Sequence, residues 1–228
     1  MDYILNIFRY VSVNADFWNN RNAFNTSQYW LEKLFLVLES YQKSFKFSDQ
    51  VWFDETFYSV RSEDIIRTDK DGKLRGLSSN QMCIGVMCDK NRTLCIFEGY
   101  GNPSQKKTYE SFKDHITIGS ILIHDEDNAH KNLVGELQLN SIAYDSNKIK
   151  LLNDKDNPLE RVNCIHYFLK AFLYAHRSFD RDRIQGYLNL FAFVMNPPAN
   201  HLEKVEKLLD LAFRNPKTLR YRDFYGLK

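Results

Sequence analysis

Asp54 stands inside the apolar run Val51-Trp52-Phe53-Asp54-Glu55-Thr56-Phe57-Tyr58, and Asp125 closes another, Ser120-Ile121-Leu122-Ile123-His124-Asp125. An ionised carboxylate in a strand interior is destabilising unless a cation or hydrogen bonds compensate it. Either acid alone reads as the water-facing end of an edge strand. As a pair on two buried strands they read as a metal site, and hard carboxylate oxygens suit Mg²⁺. Farther along, Asn163, His166 and Lys170 are spaced three and then four residues apart and so share one helix face. With Val162 and Ile165 turned to a sheet, that polar stripe could border the two acids.

The elements that must position these residues are legible from periodicity. Apolar residues at helical spacing predict a helix from Thr26 to about Gln42, with Thr26 or Ser27 as N-cap. Val51 to Val60 alternates as a strand, with Asp54 and Glu55 on opposite faces, so only one of them is expected in a given site. Gln81 to Cys88 and Thr93 to Tyr100 form a hairpin joined to that strand. A helix follows from Ser104 to about His115, then a strand over Ile116 to Asp125, a helix over Asp127 to Leu137 and a short strand at Ser141 to Tyr144. Leu159 to Ala175 is a long amphipathic helix, and helices over Arg183 to Met195 and His201 to Phe213 are separated by Asn196-Pro197-Pro198. Three antiparallel strands followed by parallel strands with intervening helices is the order of the ribonuclease H-like fold, an α/β mixed sheet flanked by helices. In that fold a first acid sits on strand one and a second at the end of strand four. Three segments are expected: a helical stretch at 1–46, the sheet domain at 47–196 and a basic helical extension at 197–228.

At Arg161-Val162-Asn163-Cys164-Ile165-His166-Tyr167-Phe168-Leu169-Lys170 the chain resembles a known family, the DDE-type insertion-sequence transposases of the insertion sequence fifteen-ninety-five group, whose relatives are called ISXO-two-like. The resemblance runs in order through four segments. They are Asp54-Glu55-Thr56-Phe57 with the basic stretch that ends Arg75-Gly76 before Gln81, the Ile121-to-Asp125 strand end, Asn163-x-x-His166-x-x-x-Lys170, and Tyr187-Leu188-x-x-Phe191-x-Phe193-x-x-Asn196. It covers about residues 26 to 196. The resemblance implies metal-dependent DNA cleavage and strand transfer, with Asp54 and Asp125 as ligands of Mg²⁺ or Mn²⁺, two ions in all. It implies transposon ends and target DNA as partners, and a homo-oligomer assembled on them.

Many family members carry Glu where this chain has His166, and others rely on the Asn at the place of Asn163. The third ligand is therefore open among Asn163, His166 and Glu160, the last lying one turn earlier. Asn163 offers a carbonyl oxygen without charge, whereas the nitrogen of His166 favours Mn²⁺ or softer ions. Lys170, Lys73 and Arg75 are candidate phosphate contacts. Around the second acid, His124, Glu126, Asp127 and His130 read as loop and helix-start polarity, with Asp127 the one substitute ligand. The family begins with a zinc ribbon and a helix-turn-helix. Here only the helix near Thr26 to Gln42 has a counterpart, so a shortened front is expected.

Composition bounds these readings. With 228 residues, 43% hydrophobic and 26% charged, the chain has ample material for a packed core and is not a disordered one. Net charge is only +2, so contact with a polyanion must come from local clusters, among them Arg214, Lys217, Arg220, Arg222 and Lys228. Cys83, Cys88, Cys95 and Cys164 contain no Cys-x-x-Cys pair, which excludes a zinc ribbon or thioredoxin motif within this sequence. The start has no signal-peptide pattern and no run is long enough to span a bilayer, so a cytoplasmic, nucleoid-associated protein without a membrane partner is expected. Two other functions compete with the transposase. One is an inactive relic or repurposed DNA-binding protein on the same fold, and the other is a ribonuclease or repair nuclease.

Overall fold

The computed structural model describes residues 2–15, 23–59, 81–176 and 180–226. The chain divides into two compact units, one formed by Phe45–Tyr167 and one by Met1–Ser44 with Phe168–Lys228. Among the described residues, 168–176 and 180–196 fall in the second of these units.

The first unit is built on five strands: β1 (Gln50–Ser59), β2 (Gln81–Cys88), β3 (Thr93–Tyr100), β4 (Ile121–Asp125) and β5 (Asn140–Tyr144). Their order is β3-β2-β1-β4-β5. β1 and β2 are antiparallel, as are β2 and β3, while β1 with β4 and β4 with β5 are parallel. This is the ribonuclease H-like mixed sheet, and it confirms the expected α/β class.

The alternation of β1 explains its place. Val51 and Phe53 are wholly buried, whereas Trp52 and Asp54 on the opposite face are half-buried. Val51 and Phe53 pack with Phe47, Met87, Leu94, Phe112 and Leu122, and each such burial contributes roughly 1.5–3 kcal/mol over exposure. α3 (Gln105–Phe112) covers this face, started by Ser104, whose side chain accepts from the Lys107 amide. The Phe53 and Phe112 rings meet edge to face at 4.7 Å. β2, with neighbours on both sides, is buried from Met82 to Cys88, as its unbroken apolar sequence requires.

Two expected elements are shorter than their apolar runs. The strand predicted from Ile116 starts only at Ile121, because the chain turns at Gly119 (φ +79°) and Ile116 makes a single bridge to Phe47. The helix predicted from Asp127 divides into a 3₁₀ turn, Asn128–His130, and α4 (Lys131–Glu136). After β5 a one-turn helix, α5 (Ser146–Ile149), precedes α6 (Glu160–Ala175), along which the boundary between the units falls.

The second unit is helical: α1 (Asp2–Phe8), α2 (Phe24–Leu38), the last part of α6, α7 (Ile184–Met195), α8 (His201–Arg214) and α9 (Tyr221–Gly226). α2 begins ahead of Thr26, at an Ala23 N-cap without a side-chain bond, so neither Thr26 nor Ser27 caps it. α8 begins at Asn200, whose side chain accepts from the Leu202 and Glu203 amides. No helix among the described residues is long and apolar enough to cross a membrane.

Candidate metal centre

The register between β1 and β4 brings the two acids together. Gln50, Val51 and Trp52 lie opposite Ile121, Leu122 and Ile123. Carried two residues on, the same register sets Asp54 level with Asp125, both on the face of Trp52 and Ile123. The ladder ends at Trp52 and Ile123, just short of the acids, and a cleft of about 410 Å³ opens there. Its walls include Asp54, Glu55, Asp125, Asp127, Lys150 and Asn163.

α6 is fixed over this face by its first turn. Asn157 Oδ1 accepts from the Leu159 amide, and the indole of Trp52 donates to the Pro158 carbonyl at 3.1 Å. The Arg161 guanidinium lies 5.1 Å from the Trp52 ring centroid. One turn farther, Asn163 lines the cleft, and His166 Nδ1 comes 3.9 Å from Asp54 Oδ2. His166 is buried and is not among the cleft-lining residues.

Electrostatics mark Asp54 as a carboxylate short of positive charge. Burial, then the nearby charges of Asp125 and Glu55, push its pKa up to about 7, against partial relief from His130 and the Glu55 amide, which donates to Oδ1 at 2.9 Å. The cation best placed to help is committed elsewhere, since His130 Nε2 pairs with Glu55 Oε2 at 2.9 Å. Burial pulls the His130 imidazole down, but Glu55, Asp125 and Asp127 outweigh it and hold the group at about 9. Two carboxylates and one side-chain amide lining the same cleft form a donor set that suits hard divalent ions. The residues present therefore fit the ions that the fold implies.

Of the candidates named from sequence, the structure places Asp54, Asp125 and Asn163 in one cleft and His166 against Asp54. Glu160 is exposed at the start of α6 and does not line the cleft. Lys170 is exposed on α6, in the helical unit. Lys73 and Arg75 lie outside the described residues. The exclusion of Glu55 from the site does not hold. It points to the opposite face, yet with no β4 backbone bonded beside it at the end of the ladder it still lines the cleft.

Four further residues went unrecognised. His124 and His130, read from sequence as loop and helix-start polarity, are buried and face one another, Nδ1 to Nδ1, at 2.8 Å. Ser141 Oγ meets His124 Nε2 at 2.8 Å, and Lys150 brings a cation to the cleft wall. His124 alone left a signal: it occupies an inward position of an apolar strand, where a polar side chain needs a partner. Asp127 caps the 3₁₀ turn by accepting from the Ala129 amide.

No protein-family model matches the chain, and no curated protein matches it. Solved structures similar to it include the Mos1 strand transfer complex, at 10% identity over 83% of this chain and 61% of that one, with a TM-score of 0.41. Others are the Mos1 mariner paired-end complex with Mn (12% identity, 81% and 58% coverage, TM-score 0.38) and a pre-cleavage Mos1 transpososome (10%, 83% and 62%, 0.33). The chain thus spans about three fifths of the length of the solved chains it matches.

Proposed function

We propose that this chain is a DDE-type transposase that cleaves and joins DNA strands with divalent ions held at Asp54 and Asp125. The observation that carries this reading is the β1–β4 register, which sets two strand-borne carboxylates level in one cleft beside Asn163. The ribonuclease H-like sheet and the ordered resemblance to the insertion sequence fifteen-ninety-five family support it. When bound, two Mg²⁺ or Mn²⁺ ions would activate the attacking oxygen and stabilise the leaving one during in-line displacement at phosphorus.

The chain's own residues do the rest. Asp54 and Asp125 supply charged oxygen ligands, and Asn163 adds a neutral one. Asp54 must give up any proton to bind a cation, and its raised pKa makes that step depend on pH near neutrality. His166, 3.9 Å from Asp54, orients that carboxylate and makes no third negative charge. Lys150 at the wall serves as a point charge for phosphate, and Lys170, Lys73 and Arg75 are further phosphate contacts. Transposon ends and target DNA are the partners, bound by a homo-oligomer.

The experiment is a cleavage and joining assay on DNA carrying the ends of the encoding element, with Mg²⁺ or Mn²⁺. Nicked and joined products are expected from the native chain and none from Asp54→Ala or Asp125→Ala. Undiminished products from either variant would refute the assignment.

One observation favours a second reading, a repurposed DNA-binding protein without catalysis: the third place holds a buried imidazole instead of an acid. In that case the native chain would bind the same DNA and leave it intact with either ion.

A further inference from the structure

His124 and His130 are not among the residues lining the cleft that holds Asp54. His124 sits on the core face of β4, two residues past Leu122, and His130 ends the following 3₁₀ turn. Their rings meet nearly perpendicular, with centroids 4.9 Å apart and Nδ1 facing Nδ1 at 2.8 Å. Asp125 Oδ1 is 3.6 Å from the same His130 Nδ1. One ligand atom from each of the three residues lies within 4.8 Å of the others.

Each ring is held from behind. His130 Nε2 meets Glu55 Oε2 at 2.9 Å, and His124 Nε2 meets Ser141 Oγ at 2.8 Å. A metal-binding imidazole needs this arrangement: the far nitrogen is bonded to an oxygen that fixes ring angle and tautomer, and the near nitrogen points inward. As they stand, the two inward nitrogens share a single hydrogen, a weak use of two fully desolvated rings.

We propose that His124 Nδ1, His130 Nδ1 and the Asp125 carboxylate bind one borderline transition ion of the Zn²⁺ or Co²⁺ class, oriented by Ser141 and Glu55. Two nitrogens on a tetrahedral ion at about 2.0–2.1 Å stand roughly 3.3 Å apart, so the rings separate by only about 0.5 Å to admit it. The 3.6 Å between His130 and Asp125 already suits that geometry. Two imidazoles and one carboxylate select Zn²⁺ or Co²⁺ over Mg²⁺, and leave a coordination position for water. Of the three ligands only Asp125 is partly exposed, and it lines the cleft, so the ion enters past it. Asp125 then joins a nitrogen-rich site on one side of β4 to the oxygen site on the other. The inference does not depend on DNA cleavage, because it concerns ion binding alone.

The test is titration of the metal-free protein with Co²⁺, read by visible absorption. One equivalent should bind with the intense bands of a low-symmetry nitrogen-containing site. His124→Gln and His130→Gln should each abolish those bands, Ser141→Ala should weaken binding about 10–100-fold, and Asp54→Asn should leave the spectrum unchanged. Because a core histidine variant can fail to fold, imidazole ¹⁵N shifts of the native protein with Zn²⁺ provide a separate measure. Both Nδ1 atoms should move to metal-bound values while both Nε2 atoms remain protonated. Absence of binding, bands that survive both histidine variants, bands lost in Asp54→Asn, or unmoved Nδ1 shifts would each overturn the proposal.

Discussion

Asp54 is a charge that its surroundings resist in the absence of a cation. Its folded pKa of about 7 lies above the ordinary carboxylate value, so the cost of ionising it is absent at pH 4, grows as the pH rises, and is complete above pH 7. Asp54→Asn should therefore stabilise the metal-free protein at pH 8 by on the order of 2–4 kcal/mol, seen as a higher melting temperature. The gain should vanish near pH 4. Thermal scans of both proteins across that range check it, and a gain independent of pH would contradict the assigned cause. Glu55 and His130 behave oppositely. The imidazole pKa is raised to about 9, so this pair stabilises the fold fully below pH 6.5 and loses its effect as the pH passes 9. Glu55→Gln leaves a buried imidazole without its anion and should cost about 3–5 kcal/mol at pH 6 in denaturant unfolding, with a smaller difference at pH 10.

Among the described glycines, Gly85 on β2 has the least room for a side chain. A Cβ at Gly85 would come 2.3 Å from Glu98 Oε1 and 2.6 Å from the Phe112 ring. Glu98 has little room to retreat, since it is buried and accepts from the Thr108 hydroxyl at 2.7 Å. Gly85→Ala should destabilise the protein by roughly 1–3 kcal/mol, or about 2–4 °C in melting temperature per kcal/mol. An unchanged melting temperature would show that β3 can shift. Elements were legible where one period was sustained, as in β1 and α6, or where turn residues separate two apolar runs, as in the β2–β3 hairpin. Bounds slipped where an apolar run continued through a turn: Ile116 belongs to the core but not to β4, because the chain reverses at Gly119. The site was legible in part for a related reason. Asp54 and Asp125 interrupt apolar runs, which is a local anomaly, whereas their level placement depends on a register between strands far apart in sequence. The contact of His130 with Glu55, 75 residues away, left no trace in the spacing of either residue. Neither did the place of Lys150 on the cleft wall.

For the molecule as a whole, a net charge of +2 means that the DNA binding proposed above would rest on few cations. Three members of the C-terminal basic cluster are already near acids: Arg214 with Asp210, Lys217 with Glu39 and Arg222 with Asp223. Lys150 and Lys170 are better placed by this account. Lys150→Ala and Lys170→Ala should each weaken DNA binding and lower the dependence of log affinity on log salt by about 0.9, a slope measurable by fluorescence anisotropy. A slope unchanged in both variants would move the contact elsewhere. Whether Asp54 and Asp125 hold a cation together can be read from calorimetric titration of Mn²⁺ into the native protein and into Asp54→Asn and Asp125→Asn at pH 7.5. Each substitution should weaken the oxygen-ligand binding event tenfold or more, at least about 1.4 kcal/mol. Native affinity in Asp54→Asn would contradict it.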